Sequence, residues 1–131
     1  MYIHKVQYYE TDKMGITHHS NYIRWMEEAR VDFLAQKGWS FAKLEEEGII
    51  SPIVSVDCQY KKPTTFDDDV NIEVSVLAFS GVRLKLGYKM FINDILVCDG
   101  ESVNCFINVK GQPIRLKKEY PDFFKMLEGC L

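Results

Sequence analysis

Apolar and polar residues alternate through most of the second half of the chain, and this period of two restricts the fold more than any other feature. The alternation is clearest over residues 70–76, and it also covers residues 54–60 and 82–92. Such a period is typical of β-strands that bury one face. Asn93-Asp94 is typical of a tight hairpin turn, so we predict a further strand over residues 95–109. Strands joined by successive hairpins predict a largely antiparallel, five-stranded sheet once a strand from the first half is added.

The first half of the chain follows a different pattern. Residues 2–9 alternate loosely and predict a short strand, which is followed by a loop. Apolar residues then recur at helical spacing over residues 21–37, with Ser20 or Asn21 as the predicted cap. A shorter helix is predicted over residues 40–47. This order predicts an α+β domain in which the sheet wraps around one long helix.

Length and composition indicate one domain that spans residues 1–131. Of the 131 residues, 47% are hydrophobic and 27% are charged, close to the averages for globular proteins. A disordered chain is therefore excluded. Long apolar strands at the edges of a sheet favour pairing with another copy of the chain, so we predict a homodimer or a homotetramer.

Charge, hydropathy and cysteine spacing exclude several kinds of partner. The chain has 16 basic and 19 acidic residues, so no basic surface is available for nucleic acid. No apolar stretch is long enough to cross a membrane and the first residues lack a signal-peptide core, which predicts no membrane insertion and a cytoplasmic location. The four cysteines show no CxxC spacing, so we expect reduced thiols and no bound metal.

The loop that precedes the long helix contains the residues that are best suited to catalysis. It contains Glu10 and Asp12 as carboxylates and His18 and His19 beside the helix start. Unpaired N–H groups at a helix start form an electropositive site that suits an oxyanion. A carboxylate opposite them could attack a carbonyl or activate water. Carboxylates in polar loops are more often simply solvated, so composition alone leaves both interpretations open.

A longer pattern runs through the same loop, with the spacing Tyr-x-x-Thr-Asp-x-x-Gly-x-x-x-His-x-Asn-Tyr. Its residues are Tyr8, Thr11, Asp12, Gly15, His19, Asn21 and Tyr22. The pattern resembles that of hotdog-fold acyl-CoA thioesterases of the 4-hydroxybenzoyl-CoA type, which include the bacterial Tol–Pal-associated acyl-CoA thioesterases. The predicted order of strands and helices is also similar to the hotdog topology, so the resemblance covers nearly the whole chain.

The resemblance implies hydrolysis of an acyl-CoA thioester without a cofactor. Asp12 stands at the position of the catalytic carboxylate, which acts as a nucleophile or as a general base toward water. The backbone N–H of His19 would polarise the thioester carbonyl, while Tyr8 stands where some members place a supporting tyrosine. Gly15 would permit the tight loop that brings Asp12 toward the helix. In dimers of the family, the site forms between two protomers.

Other residues are candidates for substrate binding, and two other functions stay open on this fold. The candidates in the loop are Gly15, His18, Asn21 and Tyr22, and the basic candidates for the CoA phosphates are Lys61, Lys62, Arg83 and Lys85. A hotdog enoyl-thioester hydratase is one alternative function, because fold alone permits it. A non-catalytic module that binds acyl-CoA or an acyl carrier protein is the other, and it would release no thiol.

Overall fold

The helices and strands follow the order predicted from the sequence. The strands are β1 (Tyr2–Lys5), β2 (Ile53–Tyr60), β3 (Asp69–Phe79), β4 (Arg83–Ile92) and β5 (Ile95–Cys105). The helices are α1 (Ser20–Gln36), α2 (Phe41–Glu46), α3 (Leu116–Glu119) and α4 (Pro121–Glu128). The computed structural model describes all 131 residues of the chain.

The five strands form one antiparallel sheet, in the order β1-β3-β4-β5-β2. The turn between β4 and β5 consists of Asn93 and Asp94, whose φ angles are 48° and 68°. Two successive positive φ angles are characteristic of a type I′ turn, which matches the twist of the strands on either side. The predicted hairpin and the predicted α+β class are therefore confirmed.

Helix α1 lies across one face of the sheet and supplies the centre of the core. Trp25 and Ala29 are fully buried, and Met26 retains only 2% of its surface. Alternate residues of β3 and β4 face them because successive side chains of a strand point to opposite sides of the sheet. The buried residues on these two strands are Val70, Ile72, Val76, Leu84, Leu86, Tyr88 and Met90. The sheet therefore wraps around the long helix, as predicted.

Two of the predicted strands are shorter than expected. The predicted strand over residues 2–9 ends at Lys5, and Tyr8–Glu10 form a 3₁₀ turn instead. The chain turns there because the Glu10 carboxylate accepts a hydrogen bond of 2.8 Å from the Gln7 N–H. The predicted strand over residues 95–109 ends at Cys105. It gives way to a turn in which Asn108 Oδ1 accepts hydrogen bonds from two backbone N–H groups of residues 110 and 112.

The start of α1 differs from the prediction in one respect. His19, rather than Ser20 or Asn21, occupies the N-cap position, with a helical φ of −56° and ψ of −27° and no capping hydrogen bond from its side chain. Ser20 and Asn21 therefore lie inside the first turn, where their side chains cannot cap. The Asn21 amide instead donates to the carbonyl oxygens of Glu10 and His18, at 3.0 and 3.2 Å. The cap of the shorter helix is as predicted, since Ser40 Oγ accepts from the Lys43 N–H.

The outer strand β2 is unusual because none of its residues is buried. Its apolar side chains Ile53, Val54 and Val56 each retain 37–45% of their surface. The opposite edge, β1, has only four residues.

None of the helices combines the length and the apolar character that a membrane span requires. The four cysteines are all free thiols.

Candidate active site

The residues between Thr11 and Thr17 form a small hairpin that presents Asp12. Thr11 and Thr17 pair across it, and the Asp12 N–H donates to the Ile16 carbonyl at 2.8 Å. Gly15 closes the loop with a φ of 80°, a value that favours glycine because a side chain there is strained. The Gly15 N–H donates to the Asp12 carbonyl at 3.0 Å. The tight loop that the resemblance implied at Gly15 is therefore present.

The Asp12 carboxylate is held by only one of its two oxygens. Oδ1 accepts a hydrogen bond of 2.8 Å from the Met14 N–H, which is a common arrangement for an aspartate in a turn. The other oxygen makes no hydrogen bond within the chain, and the residue is half-buried. One carboxylate oxygen is thus oriented by the loop while the other is available to a reactant.

The start of α1 offers one unpaired backbone donor. The N–H groups of Asn21 and Tyr22 donate to the carbonyls of His18 and His19, and the His18 N–H donates to the Glu10 carbonyl. The His19 N–H alone in this stretch donates to no acceptor of the chain. It lies at the positive end of a 17-residue helix, where a developing negative charge is stabilised.

A cavity of about 250 Å³ opens beside this donor. It is lined by Ile16, Thr17, His19, Tyr22, Tyr60, Lys61, Lys62 and Pro63. The Tyr60 hydroxyl donates to the His19 carbonyl at 3.2 Å, and the Tyr60 ring meets that of Tyr22 edge-on at 5.1 Å. Burial, together with the neighbouring Cys58 thiol, raises the pKa of Tyr60 to about 12. The phenol is therefore neutral at physiological pH and acts as a hydrogen-bond donor.

A second, more apolar cavity of about 220 Å³ lies between α1 and β2. It is lined by Ile23, Arg24, Met26, Glu27, Ile53, Val56, Tyr88 and Ser102. Cys58 stands between the two cavities, on the same face of β2 as Val56 and Tyr60, and its Sγ lies 3.4 Å from Met26 Sδ. One face of β2 therefore faces the helix along both cavities. We call the two cavities together the α1–β2 cleft.

The structure brings some of the predicted site residues together around the cleft. His19, Tyr22, Lys61 and Lys62 line its first cavity, although Asp12 is not among the lining residues. The Tyr22 hydroxyl is tied to Thr64 Oγ1 at 3.0 Å, and burial raises its pKa. His18 lies outside the cavity, exposed, with its ring stacked on that of His19 at 4.3 Å.

Other predicted site residues lie elsewhere. Arg83 and Lys85 are on the face of β4 opposite to the buried Leu84 and Leu86, so they point away from α1. Lys85 also pairs with Glu101 at 3.2 Å on that outer face. Within one chain, neither residue reaches the cleft.

Two tyrosines, Tyr8 and Tyr60, lie in surroundings that the sequence motif did not indicate. Tyr8 is 77% exposed, contacts Phe66 edge-on at 5.7 Å, and its hydroxyl has no partner in the chain. Tyr60 was not predicted as a site residue, although it lines the cavity beside His19. The alternation of β2, which places Tyr60 on the face of Val56 and Cys58, was the signal that could have identified it.

No group of three His, Cys, Asp or Glu side chains is arranged as a metal site.

Comparisons with known proteins identify the family of the chain. The model of the family described as the Thioesterase-like superfamily matches residues 6–126. A putative esterase of Aquifex aeolicus is 34% identical over 125 residues, which cover 95% of this chain and 97% of that protein. The putative acyl-CoA thioesterase YneP of Bacillus subtilis is 29% identical over 126 residues, with coverage of 95% and 91%.

Solved structures give the same result for the fold. The DHNA-CoA thioesterase from Staphylococcus aureus superposes with a TM-score of 0.92 at 32% identity, covering 98% of this chain and 87% of that one. The match of the family model extends over nearly the full length, from the residue after β1 to the last turn of α4. The chain therefore belongs to the Thioesterase-like superfamily and is a thioesterase with the hotdog fold.

Proposed function

We propose that the chain hydrolyses acyl-CoA thioesters to a free acid and CoA, with Asp12 and the His19 N–H as the reacting groups. The observation that carries the proposal is the unpaired His19 N–H at the start of α1, next to a hairpin that leaves one Asp12 oxygen free. The relatives named as acyl-CoA and DHNA-CoA thioesterases support the choice of CoA esters. Thiol release from a panel of aliphatic and aromatic acyl-CoAs tests it.

The chemistry requires a donor at the carbonyl oxygen and a carboxylate near the carbonyl carbon. The His19 N–H would donate to the thioester oxygen and stabilise the charge that develops on it during attack. Asp12 would either attack the carbonyl carbon, giving a mixed anhydride that water then cleaves, or take a proton from the attacking water. Collapse of the tetrahedral intermediate expels the CoA thiolate, which is a good leaving group. Tyr8 would act only on a bound substrate, since its hydroxyl has no partner.

The two cavities of the α1–β2 cleft differ in character, and each suits a different end of such a substrate. The second cavity is lined mainly by apolar side chains such as Ile23, Met26 and Val56, which suit the acyl group. The first cavity has Lys61 and Lys62 at its edge, both exposed and without an acidic partner, which suit phosphate groups. We therefore assign the acyl group to the apolar end and the CoA phosphates to the lysine pair.

Replacing Lys61 and Lys62 together by alanine is expected to raise KM for acyl-CoA by about 5- to 30-fold, because hydrogen bonds to charged groups are lost. kcat should change little, since neither lysine touches the thioester. Steady-state kinetics at two salt concentrations measure this, and the wild-type KM should rise with salt. The double variant of Lys117 and Lys118, an adjacent lysine pair on α3, is the matched control. An unchanged KM in the Lys61/Lys62 variant would refute this assignment.

We also propose that the active form is a homodimer or a homotetramer. Every residue of β2 is at least partly exposed in the single chain, and the outer edge of this strand is unpaired. A second copy of the chain could therefore pack against β2 and bury it. A partner at β2 would also close the α1–β2 cleft, which β2 lines with Ile53 and Val56. The proposal places the reaction in the cytoplasm, in keeping with the four free thiols.

Sedimentation at assay concentration is expected to give a dimer or a tetramer. Val54→Lys places a charge on the exposed edge strand and should shift the protein toward a monomer with reduced thiol release. Leu77→Lys, at an exposed leucine of β3, is the control because it leaves β2 unchanged. A wild-type monomer with full activity would contradict the proposed assembly.

A further inference from the structure

Glu10 is a buried carboxylate directly before the Thr11-Asp12 pair, and the mechanism above does not use it. It retains 5% of its surface. Its Oε2 accepts from Trp25 Nε1 at 2.8 Å, while its Oε1 accepts from the Gln7 N–H and from His4 Nε2, each at 2.8 Å. Three donors therefore fix both carboxylate oxygens. One donor lies on β1, one directly before the 3₁₀ turn and one on α1.

The main chain of Glu10 makes a second set of contacts, with the start of α1. Its carbonyl oxygen accepts from the His18 N–H at 2.8 Å and from Asn21 Nδ2 at 3.0 Å. Asp12 follows Glu10 by two residues, and His19 is the residue directly after His18. Glu10 is thus linked to Asp12 through the chain, and through a hydrogen bond to His18, the neighbour of His19.

The charges around Glu10 make this arrangement rigid. Burial by itself would raise the pKa of Glu10, but the hydrogen bonds from Gln7, His4 and Trp25 and the charge of His4 outweigh it and lower the pKa. The imidazole of His4 also contacts Glu28 Oε1 at 3.2 Å and lies over the Trp25 ring at 4.6 Å. An ionised carboxylate that is buried with all its donors in place resists displacement, because moving it leaves a buried charge unpaired.

We propose that Glu10 is a positioning residue, whose carboxylate and carbonyl hold Asp12 and the His19 N–H at the separation that hydrolysis needs. This inference rests on the proposed function. Glu10 touches no substrate; it acts through Asp12 and His19. A displacement of about 1 Å in a reacting group lowers turnover strongly even when the substrate still binds.

Glu10→Gln is the direct test because the side chains are nearly equal in size. The amide NH₂ would face Trp25 Nε1 at one oxygen position, or the Gln7 N–H and His4 Nε2 at the other, so at least one of the three hydrogen bonds is lost and the loop shifts. We expect kcat for acyl-CoA to fall by about 10- to 100-fold while KM stays within about twofold, since Lys61 and Lys62 are unaffected. A Glu10→Gln protein with wild-type kcat would overturn the inference.

A double variant separates positioning from general destabilisation. If Glu10 acts through Asp12, Glu10→Gln should lower the residual turnover of Asp12→Asn much less than it lowers that of the wild type. Losses that multiply when Glu10→Gln is combined with Asp12→Asn and also with His19→Pro would overturn the inference, because Glu10 would then act through neither group. Leu127→Ala, a truncation in the core part of α4, should lower Tm by about 10 °C and leave kcat unchanged at 25 °C, which shows that lost stability alone does not lower turnover.

Two further variants keep the test valid if Glu10→Gln does not fold. His4→Ala and Trp25→Phe each remove one donor to the Glu10 carboxylate, and each should lower kcat more than KM. Wild-type kcat in both would overturn the inference. If the wild type releases thiol and these variants match it, only the role of Glu10 is refuted. If the wild type releases no thiol from any acyl-CoA, the proposed function and the inference fall together.

Discussion

Asp12→Asn is expected to lower kcat for acyl-CoA hydrolysis by about 100- to 10,000-fold, because an amide is neither a base nor a nucleophile at neutral pH. The side chain keeps its shape, and its carbonyl oxygen can still accept from the Met14 N–H, so the hairpin should persist. KM and Tm should therefore stay close to the wild-type values. Thiol release and thermal unfolding measured on the same preparation test this.

The competing explanation for Asp12 is a solvated carboxylate that merely favours the positive start of α1. In that case the substitution would cost at most about 1 kcal/mol of unfolding free energy and leave turnover unchanged. Asp122→Asn, in the first turn of α4, provides the matched control for such a helix-dipole effect. A folded Asp12→Asn protein with near-normal turnover would refute the role of Asp12 in the mechanism.

His19→Pro is expected to lower kcat by about 100- to 1,000-fold, because proline removes the backbone N–H that we assign to the carbonyl oxygen. Proline suits this position in the helix, since the φ angle of His19 is −56° and its N–H donates to no acceptor of the chain. Substrate binding at Lys61 and Lys62 should persist, so KM should change little. Circular dichroism and Tm report whether α1 still begins correctly.

His19→Ala separates the backbone of His19 from its side chain. It removes the imidazole and keeps the N–H, so the mechanism predicts only a modest loss of turnover compared with His19→Pro. Equal losses in the two variants would assign the effect to the imidazole. Near-normal turnover in His19→Pro would exclude the backbone donor altogether.

The order of the secondary structure could be predicted because it depends on local patterns. A period of two sustained over residues 70–76 permits little but a strand, and Asn93-Asp94 tolerates the positive φ angles of a hairpin turn. The error at residues 2–9 arises at Glu10, which is buried and accepts a hydrogen bond from Trp25 of α1. Alternation there would have continued the strand, but the buried Glu10 carboxylate accepts from the Gln7 N–H and turns the chain.

The candidate site also has features that depend on local sequence and features that depend on tertiary contacts. The sequence by itself determined the Asp12 hairpin and the helix that starts near His19, because Gly15 and the spacing between them act within a few residues. Only the tertiary structure decided that Tyr60 lines the cavity and that Arg83 and Lys85 face away from it. It also decided which donors surround Glu10. The physical reason is that strand pairing and burial join residues far apart in the chain, and a local pattern carries no information about those partners.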